Sequence, residues 1–139
     1  LRDHPETNFF HFNVDLAQGP CVIKRLRGCG AGCEYVAITP EGDIYPCHQF
    51  VGNEDYKLGS LYDGTFDKEL SGRFAGLNIY TREECKDCWA RFYCSGGCSA
   101  SNLLVNGDIK KPHRVGCELE RKRLECAIAL RAIAAGMAE

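Results

Sequence analysis

The sequence contains no run of about 18 apolar residues, the length a helix needs to cross a bilayer. Its opening, LRDHPETNFFHFNVDL, lacks the charged start, apolar middle and small-residue exit of a secretory signal. The net charge is −2, so no basic excess draws the chain onto nucleic acid or an anionic membrane. Internal repeats and low-complexity tracts are absent as well. These absences together imply a soluble, cytoplasmic chain with neither nucleic acid nor membrane as a partner. Its 139 residues, 45% of them hydrophobic, suffice for one compact domain. The chain does not begin with Met, and its first segment alternates like a strand. Residues 1–20 are therefore expected to be the end of a preceding domain or a linker, and residues 21–139 a domain of their own.

What the chain has in abundance is cysteine, 10 in all. Without a secretion signal, reduced thiolates holding metal explain them better than disulfides, which cytosolic reductants would open. Four lie in CKDCWARFYCSGGC as Cys85-x2-Cys88-x5-Cys94-x3-Cys98, at separations where closing a chelate costs little loop entropy. Gly96 and Gly97 leave room for a bulky inorganic core. Further along, Cys117 is predicted to sit at a helix N-terminus, where the partial positive charge lowers a thiol pKa. Upstream, Cys29, Cys33 and Cys47 form a second group among Gly28, Gly30 and Gly32.

Cys85 and Cys88 alone would favour zinc, whose usual signature is a CxxC pair. The full set points elsewhere. All-thiolate ligation, no His at paired zinc spacing, unequal gaps and adjacent glycines fit two 4Fe-4S clusters better. Cys126, amid Leu124, Ala127 and Ile128, reads as a small core residue, while Cys21 is balanced between an inert thiol and a ligand. His48 reads first as a polar residue ending a hairpin, and only second as a donor to a cluster sulfur. Trp89, Phe92 and Tyr93 read as an apolar wall that keeps water from a cluster, and Arg121-Lys122-Arg123 as a solvated helix face.

The pattern around these thiols predicts an α+β fold: a small, irregular iron-sulfur domain with a β-hairpin, short helices and a C-terminal helix. Residues 8–16 alternate like a strand. Tyr35 to Ile38 and Asp43 to Tyr45 form a hairpin about Thr39-Pro40-Glu41-Gly42, ended by Pro46. Residues 51–61 read as loop, and a short helix starts near Thr65. Thr81-x-x-Glu84 is a capping box opening a helical turn at Arg82. SASNLLV is a short helix stopped by Asn106-Gly107, and a long helix runs from Gly116 to Gly136.

Cys29, then Gly42-x4-Cys47, then Cys85-x2-Cys88-x5-Cys94-x3-Cys98, then Cys117 resembles the seven-cysteine pattern of SPASM domains, the auxiliary-cluster domains of radical SAM peptide-modifying enzymes. The stretches GCGAGCEYVAITPEGDIYPCHQFVG and ARFYCSGGCSASN further resemble maturases of six-cysteine-in-forty-five-residues peptides, which install Cys-to-Cα thioether bridges. The resemblance implies that Cys85, Cys88, Cys94 and Cys117 hold one auxiliary 4Fe-4S cluster, and that Cys29, Cys47 and Cys98 hold the other. Cys33 or Cys21 completes the latter, or one iron stays open for a substrate thiolate. The implied role is electron transfer, together with thiolate binding if that iron is open. Cys-x3-Cys-x2-Cys, the signature for cleaving S-adenosylmethionine, is absent: Cys29-x3-Cys33 leads to Val36 and Cys94-x3-Cys98 to Ser101. S-adenosylmethionine and a third 4Fe-4S cluster are thus expected in an N-terminal radical SAM barrel of the same protein, which acts on a Cys-rich precursor peptide. This chain alone is not expected to be active. The alternatives kept beside this reading are a zinc-binding interaction module and a domain of another radical SAM enzyme such as a sulfatase maturase.

Overall fold

A computed structural model describes residues 9–16 and 22–136. The Thr39-Pro40-Glu41-Gly42 turn closes a hairpin, with the Gly42 N–H donating to the Thr39 carbonyl (2.9 Å). Strand β1 (Ala37–Ile38) pairs antiparallel with β2 (Asp43–Tyr45), Ala37 facing Tyr45 and Ile38 facing Ile44. Pro46 ends β2 as predicted. The first arm is shorter than expected, because Tyr35 bridges Ala31 instead.

Two further strands, β3 (Gly59–Ser60) and β4 (Thr65–Phe66), extend the hairpin into a four-stranded antiparallel meander in the order β1-β2-β3-β4. They occupy residues read from sequence as loop and helix start. Gly59 decides this. Its φ is +150°, and a Cβ there would lie 2.1 Å from the Thr65 carbonyl oxygen, so only glycine lets β3 approach β4. The helix predicted near Thr65 begins later, as α2 (Lys68–Ala75), because Asp67 caps it by accepting from the Leu70 N–H (2.8 Å).

The core is shared by sheet and helices. Ile44, Tyr45, Phe50, Leu58, Leu70, Phe74, Leu77, Ala100 and Ile109 form one buried cluster that also contains Cys47. Phe50 and Phe74 meet edge to face, ring centres 5.4 Å apart. Helix α1 (Val22–Arg27) is tied in where the Ile79 N–H donates to the Leu26 carbonyl (3.0 Å), and Arg25 donates to the Tyr93 carbonyl (3.2 Å) at the end of α3 (Arg91–Cys94). Helix α4 (Ser99–Asn106) stops at Gly107, whose φ of +69° turns the chain. Helix α5 spans Arg114–Ala134 and stops before Gly136, two residues longer at its start than predicted. Ion pairs Arg114–Glu118, Arg123–Glu120 and Lys122–Glu125 lace its surface.

Two predictions fail locally. The segment read as a strand over 8–16 is a 3-10 turn at Phe10–Phe12; residue 8 lies outside the described residues. Phe9 and Phe12 stack edge to face (4.8 Å), and Arg123 of α5 donates to the His11 carbonyl (3.1 Å). Alternation calls for a partner strand, and among the described residues none pairs here. Thr81 does not open a capping box either: its hydroxyl donates to the Gly76 (3.0 Å) and Asn78 (3.1 Å) carbonyls. Residues 83–87 form hydrogen-bonded turns after a bend at Arg82, whose carbonyl accepts from the Cys85 (2.9 Å) and Lys86 (3.3 Å) N–H groups.

Candidate metal centre

The turns over 83–88 present Cys85 and Cys88, α3 ends on Cys94, and Cys117 follows from the first turn of α5. Cys85 is buried, and the other three are half-buried. Burial pushes the Cys85 thiol up to about 11, opposed by the Arg82 cation and reinforced by Cys117, Cys94 and Cys88. Cys94 is raised by burial, by Glu120 and by Cys117. Cys117 is raised by burial against the pull of Arg121, with Cys88 adding to the rise. Each of these thiols therefore acts electrostatically on others of the same four, which come from three separate segments.

A second group gathers at the exit of β2. Cys47 is raised chiefly by burial, opposed by backbone N–H groups of Gln49 and Phe50, with Cys98 and Cys29 raising it further. Cys29 arrives on a loop bound to the hairpin end, where the Gly32 N–H donates to the Tyr35 (2.8 Å) and Pro46 (3.0 Å) carbonyls. From below, the Ser71 hydroxyl of α2 donates to the Gly32 carbonyl (2.7 Å). Cys98 precedes α4 and behaves oppositely to its neighbours. Partial burial of its sulfur would raise it, but the N–H and hydroxyl of Ser101, the Ala100 N–H and the Gln49 amide (3.7 Å) outweigh that and lower it. The Cys33 thiol donates to the Gly30 carbonyl at 3.4 Å, and Cys21 lies outside the described residues.

The residues between Cys94 and Cys98 curl the chain sharply. Ser95 is left-handed (φ 59°) and Gly96 follows at φ +83°, a curl whose Gly96 and Gly97 N–H groups stabilise the Cys94 thiolate. A cleft of about 240 Å³ lies between the groups, lined by Cys94, Cys98, Asn102, His113, Cys117 and Glu120. Asn102, almost fully buried, pins its far wall: its Oδ1 accepts from the His113 N–H (2.9 Å) and its Nδ2 donates to the Ile109 carbonyl (3.4 Å).

Several expectations about this region are corrected. The Cys117 pKa is raised rather than lowered, because burial outweighs the pull of Arg121; α5 also starts at Arg114, so the Cys117 N–H is already bonded to the His113 carbonyl (3.0 Å). Trp89 is 52% exposed and is no wall, whereas Phe92 and Tyr93 are half-buried. His48 is exposed. Arg121-Lys122-Arg123 is not only a solvated face, since Arg121 acts on Cys117. The residue that sequence reasoning missed is Arg82, buried beside Cys85; its charge gave no pattern to read.

An anionic iron-sulfur core fits the residues present. The donors are all thiols, Gly97 has no neighbour closer than 3.9 Å where a Cβ would sit, and backbone N–H groups of Gly96 and Gly97 stabilise the Cys94 thiolate. Arg91 also holds a buried Nε without a partner, while its Nη1 donates to the Cys88 carbonyl (3.3 Å). Among the described residues, no three His, Cys, Asp or Glu side chains converge on a single ion position, as tetrahedral zinc would require.

Residues 29–89 match the family model of SPASM, an iron-sulfur cluster-binding domain. Among curated proteins, the mycofactocin maturase MftC of Mycobacterium ulcerans is 31% identical over 111 residues, 76% of this chain and 29% of that protein. The PqqA peptide cyclase of Xanthomonas axonopodis pv. citri is 28% identical over 102 residues, 68% of this chain and 27% of that protein. A serine-type anaerobic sulfatase-maturating enzyme of Bacteroides thetaiotaomicron is 29% identical over 99 residues, 67% of this chain and 23% of that protein. The chain thus spans about a quarter of the length of the curated relatives it matches. Thiol spacing and the family match agree: over residues 29–89 the chain is similar to SPASM, an iron-sulfur cluster-binding domain.

Proposed function

We propose that this chain holds two 4Fe-4S clusters as the auxiliary domain of a radical SAM enzyme that modifies a ribosomally made, Cys-rich peptide. Cys85, Cys88, Cys94 and Cys117 hold one cluster; Cys29, Cys47 and Cys98 hold the other, with Cys33, Cys21 or a substrate thiolate as its fourth ligand. The observation that carries this reading is the match of residues 29–89 to an iron-sulfur cluster-binding family, with Cys94, Cys98 and Cys117 brought from separate segments to the wall of one cleft. When bound, such clusters supply sites that take up or give one electron.

The chain's own residues hold, solvate and screen that chemistry. The N–H groups around Cys94 and Cys98 stabilise thiolates at the two ends of one short loop. Cys33, engaged as a donor to Gly30, must release that hydrogen bond before it can ligate. The open-iron alternative asks nothing of it. Residues 21–139 serve as the auxiliary domain and residues 1–20 as the lead-in from the barrel, which carries S-adenosylmethionine and the third cluster. The product proposed is a Cys-to-Cα thioether, on the likeness of residues 28–52 and 90–102 to maturases of six-cysteine peptides. A sulfatase-maturating role is the second reading, favoured by the relative that bears that name.

Anaerobic loading with iron and sulfide tests the proposal. The expected result is a brown protein with about eight irons per chain, reduced to about four by Cys88→Ala with Cys117→Ala. Colourless protein that takes up only zinc under the same conditions would overturn it.

A further inference from the structure

Arg82 is 4% exposed, and its guanidinium meets only neutral acceptors. Nη1 donates to the Ile109 (2.6 Å) and Lys110 (2.7 Å) carbonyls, and Nη2 to the Ser99 hydroxyl (3.1 Å). Among the described residues no carboxylate forms an ion pair with it. Asp108 and Glu84 act on it only from a longer distance. A buried cation without a counter-charge is strongly unfavourable, and three hydrogen bonds to neutral groups do not neutralise it.

The missing charge has an address. Cys85 hydrogen-bonds back to the Arg82 carbonyl (2.9 Å). The loop after Cys94 presses on the side chain, since a Cβ on Gly96 would sit 2.9 Å from both Cδ and Nε of Arg82. Burial pushes the Arg82 pKa down while Cys85, Asp108, Cys94 and Glu84 push it up. In return, Arg82 is the foremost group opposing the rise of Cys85.

We infer that Arg82 is the built-in counter-charge of the centre formed by Cys85, Cys88, Cys94 and Cys117, and that it biases a cluster held there toward its reduced state. The inference rests on the cluster reading above. Four thiolates outweigh the charge of an iron-sulfur core, so the whole is anionic, and one added electron makes it more so. A fixed cation favours that electron. No proton accompanies it, because the guanidinium stays charged in both states. Arg82 is thus a positioning and tuning residue: the same side chain ties residues 109–110 to α4 and sets the field at the thiols.

Two variants separate charge from tethering. Arg82→Gln keeps one or two hydrogen bonds and removes the charge; Arg82→Lys keeps the charge and gives up the fork. Both are loaded anaerobically beside the unsubstituted protein and titrated with a chemical reductant, with each cluster followed by electron paramagnetic resonance. In Arg82→Gln, one midpoint is expected to move negative by a tenfold or larger loss in the reduction equilibrium, about 59 mV for one electron, while the other stays put. Arg82→Lys should lie nearer the unsubstituted value. Full iron with both midpoints unchanged in Arg82→Gln, or equal shifts in both variants, would overturn the inference. If Arg82→Gln loses half its iron, recovery in Arg82→Lys supports the charge, and persistent loss refutes it. Absence of iron from the unsubstituted protein would instead remove the cluster reading, and the counter-charge with it, a result distinguishable from failure of Arg82 alone.

Discussion

Single thiols in this chain differ because of what lies within a few ångströms of each sulfur. Cys98 is exposed and its thiolate is stabilised by Ser101, Ala100 and Gln49, whereas Cys85 is buried and pushed up to about 11. In iron-free protein near neutral pH, an alkylating reagent should label Cys98 well before Cys85, since the thiolate is the nucleophile. Time-resolved peptide mass spectrometry reads the order, and equal rates would contradict the assignment. Spacing identified these thiols in sequence; it could not rank them, since rank depends on donors from residues 49 and 101. Gly59 is the other residue whose neighbours decide. Gly59→Ala forces a Cβ onto the Thr65 carbonyl at φ +150° and should cost upwards of about 2 kcal/mol, seen as a lower urea midpoint with the m-value unchanged.

Short elements here act as platforms for the loops that carry cysteine. Helix α2 is the clearest case. Phe74 is 3% exposed and lies beneath Gly32, where a Cβ would come within 2.7 Å of its ring, and Ser71 bonds the Gly32 carbonyl. Phe74→Ala should destabilise the chain by about 3–5 kcal/mol. Because the Gly32 loop carries Cys29, iron should be lost first from the Cys29, Cys47 and Cys98 set, measured as a drop to about half the iron content. Full iron retention would show that α2 does not support that loop. The hairpin and α4 were legible because Pro46 and Gly107 are local breakers. Residues 8–16 and the box at Thr81 were not, since alternation and capping patterns acquire meaning only from the partner they find.

For the molecule as a whole, the described core is one modest cluster, and structural metal sites can contribute on the order of 10–16 kcal/mol against a net stability of roughly 5–15 kcal/mol for ordinary domains. Chelating the iron should therefore abolish the cooperative melt by circular dichroism while helical signal from α5 persists. An unchanged melt would refute this. Whatever fold the iron-free chain keeps should weaken as pH rises. Cys47, Cys85, Cys94 and Cys117 are raised in the folded state, so their protonated forms stabilise it below the ordinary thiol value of 9.0, and that contribution is lost as pH climbs toward about 11 for Cys85. Cys98 runs the other way, its contribution present above the ordinary value and lost as pH falls, and the four outweigh the one. Sequence by itself determined the donor chemistry, because thiol type and short spacing are local properties: Cys85, Cys88, Cys94 and Cys98 fall in one short segment, and Pro46 had to deliver Cys47 at the end of a strand. Only the tertiary structure decided that Cys117 is raised by burial rather than lowered, that the chain curls left-handed at Ser95 and Gly96 between Cys94 and Cys98, and that Arg82 is buried beside Cys85. Those outcomes depend on burial and on charges separated by tens of residues, and no spacing in the chain encodes either one directly.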